Sequence, residues 1–110
     1  MRRTRSYSRP TLELAKVLGL EIARGRRERR LSLAELAERA GTSIPTVRRV
    51  EQGDPTVACG TAFEIGRLVG IQFFGAEPGT EQQHVDRARE RLALLPARVR
   101  APVEDYDDGF

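Results

Sequence analysis

The sequence predicts an all-α fold: a compact domain, then a C-terminal helix and a disordered tail. Three observations lead to this class. Apolar residues recur at helical spacing in several segments, and residues that start or stop helices separate those segments. The third observation is that residues favouring β-strands are concentrated in only one short stretch, Ile71 to Phe74, which is too little for a β-sheet.

Composition limits the classes of function. With 110 residues, 39% hydrophobic and 32% charged, the chain fits one small globular domain. No apolar run is long enough to span a membrane, and no apolar segment follows the basic N-terminus, so we expect a cytoplasmic protein. The single Cys59 excludes a cysteine metal cluster, and His84 is interpreted as a surface residue. Because no catalytic constellation is visible, we expect no enzyme, cofactor or metal.

Charge is divided unevenly along the chain. Residues 1–50 hold thirteen Lys or Arg and five Asp or Glu, a net charge of +8, whereas residues 51–110 hold six and eleven, a net charge of −5. A basic half favours a polyanionic partner such as nucleic acid. Solvated arginine-rich faces without a partner are the alternative.

Two helices are expected in the first part of the chain, after a flexible basic arm over residues 1–10. The first helix spans about residues 11–29, where leucines and an isoleucine recur at helical spacing. The second begins at Ser32, which forms a capping box with Glu35, and ends at Gly41, which supplies a positive φ.

Two further helices follow. Ser43 is a good N-cap, Pro45 falls in the first helical turn, and residues 52–55 stop this third helix. The fourth helix covers about residues 58–69, with apolar residues on one face.

A C-terminal helix is predicted after a loop. Thr80 to Gln83 has the pattern of a second capping box, which opens a helix reaching about Leu95. The last fifteen residues lack apolar periodicity and are expected to be disordered. The expected regions are a basic arm (1–10), a helix-turn-helix domain (11–75), a C-terminal helix that dimerises (76–97) and an acidic disordered tail (98–110).

The spacing between residues 33 and 50 is typical of a helix-turn-helix. Ala37 is small enough for the close crossing of two helices, and Gly41 suits the turn between them. Val47 and Val50 anchor the second helix and leave its opposite face free for a DNA major groove. A helical hairpin without a DNA partner is the alternative.

Residues 14–74 resemble the helix-turn-helix domain of the phage Cro and repressor (XRE-type) family. The stretch LSLAELAERAGTSIPTVRRVEQG is similar to the family's core motif, and TAFEIGRLVG is similar to its fourth helix. This resemblance implies a five-helix, lambda-repressor-like domain. The chain has Leu33 where family members often place a glutamine that touches a phosphate.

The resemblance also implies which residues face DNA. Arg49 is expected to pair with a guanine, whereas Arg48 is nearer the flank and contacts a phosphate or a base. Ile44 is placed to meet a thymine methyl group. Arg2, Arg3 and Arg5 of the arm enter a minor groove or have no role. The DNA-binding set carried over is Ser32, Leu33, Ser43, Ile44, Pro45, Thr46, Arg48 and Arg49.

A narrower resemblance concerns function. The run RRVEQGDPTVACGTAFEIGRLVG, followed by an acidic tail, resembles HipB-type antitoxins. That resemblance implies a homodimeric repressor that binds a palindromic operator in its own operon and neutralises a HipA-type kinase toxin. A stand-alone transcriptional regulator and a protein-only interaction module are the alternatives.

Two interaction surfaces are predicted from exposed apolar residues. The proposed dimer interface contains Ile71, Phe73, Phe74, Leu92 and Leu95, and the alternative is that these residues pack against the first helix. In the tail, Tyr106 and Phe110 are candidate anchors for a basic groove on a partner. The tail alternatively covers the chain's own basic face or only aids solubility.

Overall fold

The computed structural model describes residues 6–99, which contain five α-helices and no strand, as the all-α prediction requires. None of the described helices is long and apolar enough to cross a membrane. The chain divides into two compact units after Gly75. The helices are α1 (Arg9–Glu28), α2 (Leu33–Ala40), α3 (Ile44–Glu51), α4 (Cys59–Leu68) and α5 (Glu81–Ala93), with a short 3-10 turn at Phe73–Gly75.

Helix α1 begins two residues before the predicted start. The Ser8 side chain accepts a hydrogen bond from the Thr11 backbone amide, and a proline lies in the first turn. Proline is favoured there because its missing amide would have no helical partner. Ser8 therefore sets the start of the helix, a signal that lies inside the segment predicted to be a flexible arm.

The predicted boundaries of α2 are confirmed. Ser32 Oγ accepts from the Glu35 amide at 3.0 Å, and Glu35 Oε1 accepts from the Ser32 amide at 2.8 Å, which completes the capping box. Gly41 ends the helix in the left-handed region, at φ 68°. A residue with a Cβ is strained at this φ, so glycine is the suitable residue.

The core of the first unit lies among its four helices. Each helix contributes one side chain that is fully shielded from solvent: Ile22 from α1, Leu36 from α2, Val47 from α3 and Ile65 from α4. Ala37, Val50 and Val69 complete the cluster of buried residues. Burying one such side chain stabilises a fold by about 1.5–3 kcal/mol, so this cluster provides the main driving force for folding.

Close packing between α1 and α3 depends on Gly19. A Cβ atom at this position would collide with the backbone carbonyl oxygens of Val50 and Glu51. The absent side chain therefore lets the end of α3 approach the middle of α1. This contact, together with the core, fixes α3 on the domain.

The β-prone stretch Ile71 to Phe74 forms no strand, in agreement with the all-α prediction. Ile71 packs against the core, and the Phe73 ring lies over Gly66, where a Cβ would collide with it. Phe73 also contacts Phe63 edge-to-face, with ring centroids 4.8 Å apart. Ile71 and Phe73 are apolar because they pack on the domain, not because they pair with a strand.

The second unit differs in its local structure. The capping box predicted at Thr80 is wrong: the Thr80 side chain donates to the Glu77 carbonyl at 2.7 Å and makes no cap bond to α5. No residue of the described part of this unit, 76–99, is buried. Its exposed large apolar residues are Val85, Leu92, Leu94, Leu95 and Val99.

Candidate nucleic-acid interface

The connection between α2 and α3 is a tight turn built on three residues. The Thr42 amide donates to the Ala37 carbonyl at 2.9 Å, across the left-handed Gly41. Ser43 then caps α3, where its side chain accepts from the Thr46 amide at 3.3 Å. Ala37 is 3% exposed, as expected for a small residue at the crossing of two helices.

Helix α3 has two distinct faces. Val47 and Val50 are buried in the core, whereas Pro45, Arg48 and Arg49 are exposed. The inner residues are three apart, so they lie on one side of the helix and leave the arginines on the other. The arrangement presents a cationic helical surface to the solvent.

A bidentate ion pair fixes the end of α3 to α1. Arg26 donates to Glu51 through Nε at 2.6 Å and through Nη2 at 3.1 Å. Its third donor, Nη1, reaches the Leu31 carbonyl at 3.0 Å. The hydrogen bond that Arg26 donates to Glu51 raises the pKa of Arg26. The two parallel charge-assisted bonds also restrict the geometry of the pair.

Arg49 forms an ion pair with the turn that follows α3. Its Nε lies 3.5 Å from Asp54 Oδ2, and its side chain remains 52% exposed. Asp54 in turn accepts from the Thr56 amide at 2.8 Å and from the Thr56 hydroxyl at 2.6 Å. The hydrogen bonds from Thr56, assisted by the Arg49 charge, lower the pKa of Asp54.

The polar residues at the helix starts are used as caps. The hydroxyls of Ser43 and Thr46 lie 2.9 Å apart and form a hydrogen bond in which either can donate. Ser32 Oγ accepts from Glu35, and Leu33 is half-buried against the core. A phosphate contact at Leu33 would therefore use its backbone amide, since the side chain is apolar. Ile44 is 37% exposed beside the capped start of α3.

The predicted dimer residues fall in both units. Ile71 and Phe73 are half-buried in the first unit, where Phe74 is 86% exposed. Leu92 and Leu95 belong to the second unit and are 70% and 65% exposed. The predicted tail anchors and arm arginines lie outside the described residues 6–99: Tyr106, Phe110, Arg2, Arg3 and Arg5.

Sequence reasoning missed three residues that shape this surface. The partners Arg26 and Glu51 are 25 residues apart, so no local spacing pairs them. Asp54 was assigned only to a helix stop, although the Asp-x-Thr pattern at residues 54–56 is typical of a side chain that accepts from the amide two residues on.

Comparison with known proteins identifies the domain. Residues 17–70 match a family model described as a helix-turn-helix domain, and this range runs from the middle of α1 to just past the end of α4. No curated protein matches the chain, and no solved structure does. The match and the α2–turn–α3 geometry agree, so residues 17–70 are a helix-turn-helix domain of the XRE-like class. Such a domain indicates a DNA-binding regulator.

Proposed function

We propose that this chain is a sequence-specific DNA-binding repressor whose α3 enters the major groove of its operator. One observation carries the proposal. Helix α3 is held from behind by Val47, Val50 and the Arg26–Glu51 pair, and it presents Arg48 and Arg49 outward. A rigid helix with a cationic outer face is what groove reading requires.

Each outward residue has a proposed role. Arg49 reads a guanine, because a guanidinium can donate two parallel hydrogen bonds to O6 and N7. Arg48 contacts a phosphate or a base, and Ile44 meets a thymine methyl group. The Ser43 and Thr46 hydroxyls donate to phosphates or base edges, and Pro45 shapes the start of the helix.

Charge supports a polyanionic partner. Residues 1–50, which include α1, α2 and most of α3, carry a net charge of +8. Arginines that neutralise phosphates release condensed counterions, and this provides much of the affinity for DNA. We therefore expect binding to weaken steeply as salt concentration rises.

The first test uses duplex DNA. Selection from a randomised duplex library should yield a preferred sequence, and Arg49→Ala should lose about 1–3 kcal/mol of binding there and relax one base position. A gel-shift series in which this variant binds as tightly as the wild type would refute the role of Arg49. If the wild type enriches no sequence at all, the domain is a protein-only interaction module.

A homodimer on a palindromic site is the proposed assembly, because one helix reads only a few base pairs. Leu92 and Leu95 are exposed in α5 and just beyond it, and Phe74 is exposed in the first unit. Ile71 and Phe73 already contact the domain's own residues, so the proposal relies mainly on the other three. Truncation after Gly70, which removes all three of these exposed residues, should yield a monomer by light scattering. A truncated chain that still dimerises would contradict this assignment.

The finer proposal is a HipB-type antitoxin, with a stand-alone regulator as the alternative. The sequence of residues 104–110, EDYDDGF, supports it, since four acidic residues and two aromatic ones suit a basic groove on a partner. The test is binding to a HipA-type kinase with and without residues 101–110. Loss of binding on deletion supports the antitoxin proposal, and a full-length chain that never binds the kinase favours the stand-alone regulator.

A further inference from the structure

We infer that Asp54 is a specificity-determining residue: it holds the Arg49 guanidinium by its Nε edge and leaves the two terminal nitrogens for base contact. The inference rests on the proposed function, in which Arg49 reads a base. It adds a residue that is not itself expected to touch DNA. Asp54 would act through Arg49, so it is a positioning residue.

The backbone fixes Asp54 with respect to α3. The Asp54 amide donates to the Arg49 carbonyl at 3.0 Å, and the Gly53 amide donates to the Val50 carbonyl at 3.0 Å. Gly53 lies between them in the left-handed region, at φ 84°, and is buried against Lys16 of α1. This helix-ending motif fixes the backbone position of Asp54 relative to α3, from which its side chain extends.

The carboxylate of Asp54 is then oriented from the other side. Its Oδ1 accepts both hydrogen bonds from Thr56, which occupies that oxygen and sets the plane of the carboxylate. Its Oδ2 is the oxygen that faces Arg49 Nε at 3.5 Å. The side chain of Asp54 is 28% exposed, against 52% for Arg49, so the more shielded partner positions the more accessible one.

The chemistry of arginine makes this arrangement selective. A guanidinium offers five N–H donors in a rigid plane, and two parallel ones suffice for O6 and N7 of guanine. Among residues 6–99, no hydrogen bond engages the terminal nitrogens of Arg49. Contact at the Nε edge reduces the number of side-chain conformers, so less conformational entropy is lost when the base contact forms.

Arg48 provides an internal contrast. It is exposed on the same helix, and within the described part of the chain it forms no ion pair. An arginine that is not positioned by a partner suits a phosphate, which accepts from many directions. The ion pair with Asp54 is therefore a structural difference between the two neighbouring arginines, and it agrees with the different roles that the resemblance implies for them.

The experiment uses the full chain and the duplex preferred by the wild type in the library selection. Dissociation constants are measured for that duplex and for each single-base-pair variant of it, with wild type, Arg49→Ala, Asp54→Ala and the double variant. We expect Asp54→Ala to reduce discrimination about three- to tenfold at the same base pair that Arg49→Ala affects. The double variant should discriminate no worse than Arg49→Ala alone, because the two residues act as one unit.

Three further variants separate the positioning role of Asp54 from the effect of its charge. Asp54→Asn keeps an acceptor for Thr56 but removes the charge, and Thr56→Val removes one hydrogen bond to the carboxylate. Both should reduce discrimination at that same base pair, and by less than Asp54→Ala. The control is Glu28→Ala, which removes one acidic partner of Arg24 on α1 and changes the net charge equally. It should change affinity for all duplexes alike.

Asp54 has no positioning role if Asp54→Ala keeps full discrimination, or if it tightens binding to every duplex equally by removing a negative charge. The inference would also be overturned if the double variant lost as much discrimination as the losses of Arg49→Ala and Asp54→Ala added together. These results leave the proposed function intact as long as Arg49→Ala relaxes one base position. If the wild type enriches no duplex, the proposed function and the inference both fail.

Discussion

The two units of this chain contain the same kind of helix but differ in what covers the apolar side. In the first unit, each of the four helices contributes a fully shielded side chain to one core. In the second, α5 has apolar residues, and none of residues 76–99 is buried. Helical periodicity therefore indicates which face is apolar, but it does not indicate what covers that face.

Polar contacts differ between the units in the same way. The Arg26–Glu51 pair joins two helices of the first unit across 25 residues. Within residues 76–99 the side-chain hydrogen bonds are local, such as Gln82 to Asp86 at 3.0 Å. The first unit is therefore stabilised by long-range contacts between its own helices, whereas the side-chain hydrogen bonds of residues 76–99 connect residues close in sequence.

The largest expected effect contrasts two aliphatic residues. Ile22→Ala should lower the free energy of unfolding by about 3–4 kcal/mol, because it removes a fully shielded side chain and leaves a cavity. Leu92→Ala, at a position 70% exposed, should change it by less than about 0.5 kcal/mol in a protein dilute enough to be monomeric. Chemical denaturation at low concentration measures both. Equal losses would mean that Leu92 belongs to the same cooperative core.

The next effect concerns the two arginine pairs on α1. Arg26→Met should lower the free energy of unfolding by about 2–3 kcal/mol, because Glu51, only 11% exposed, loses its counter-ion. Arg24→Met is the matched control: its partners Glu21 and Glu28 are each about half exposed, so a small change is expected. Denaturation curves of the two variants test this. A small loss in Arg26→Met would show that α3 is held by apolar contacts alone.

Local signals were sufficient for α2 and α3. Ser32, Gly41 and Ser43 were each predicted as a helix boundary from residue type, and each has that role in the structure. Caps act over three or four residues, so sequence contains all the information that they need. The inner residues Val47 and Val50 followed from spacing for the same reason.

Long-range contacts explain what sequence did not reveal. The Phe73 ring packs on Gly66 of α4. No spacing rule connects these two residues, so from sequence Phe73 was interpreted only as part of a β-prone stretch. Thr80 has the residue pattern of a capping box, but its ψ of 7° differs from the extended N-cap conformation of Ser32. Glu51 is paired by tertiary structure, not by its neighbours in sequence.

A smaller effect compares these two helix starts directly. Ser32→Ala should destabilise the first unit by about 1 kcal/mol, because the Glu35 amide loses its acceptor. Thr80→Ala should leave the start of α5 unchanged, because the Thr80 side chain makes no cap bond. Hydrogen exchange at the amides of Glu35 and Gln83 measures the two sites separately. Faster exchange at Gln83 in Thr80→Ala would mean that the second capping box forms in solution.

The smallest effect is the pH dependence of the Ser32–Glu35 cap. The hydrogen bond from the Ser32 amide, assisted by its hydroxyl, lowers the pKa of Glu35 below its ordinary value of 4.5. The charged carboxylate therefore stabilises the fold above that ordinary value, and this contribution is lost as pH falls through the lowered pKa. Glu35→Gln keeps an acceptor but cannot ionise, so the Tm difference between wild type and variant should shrink on acidification. Glu38→Gln, at an exposed position on the same helix, controls for the change in net charge. A Tm difference that stays constant from about pH 6 to about pH 3 would show that the cap stabilises α2 without its charge.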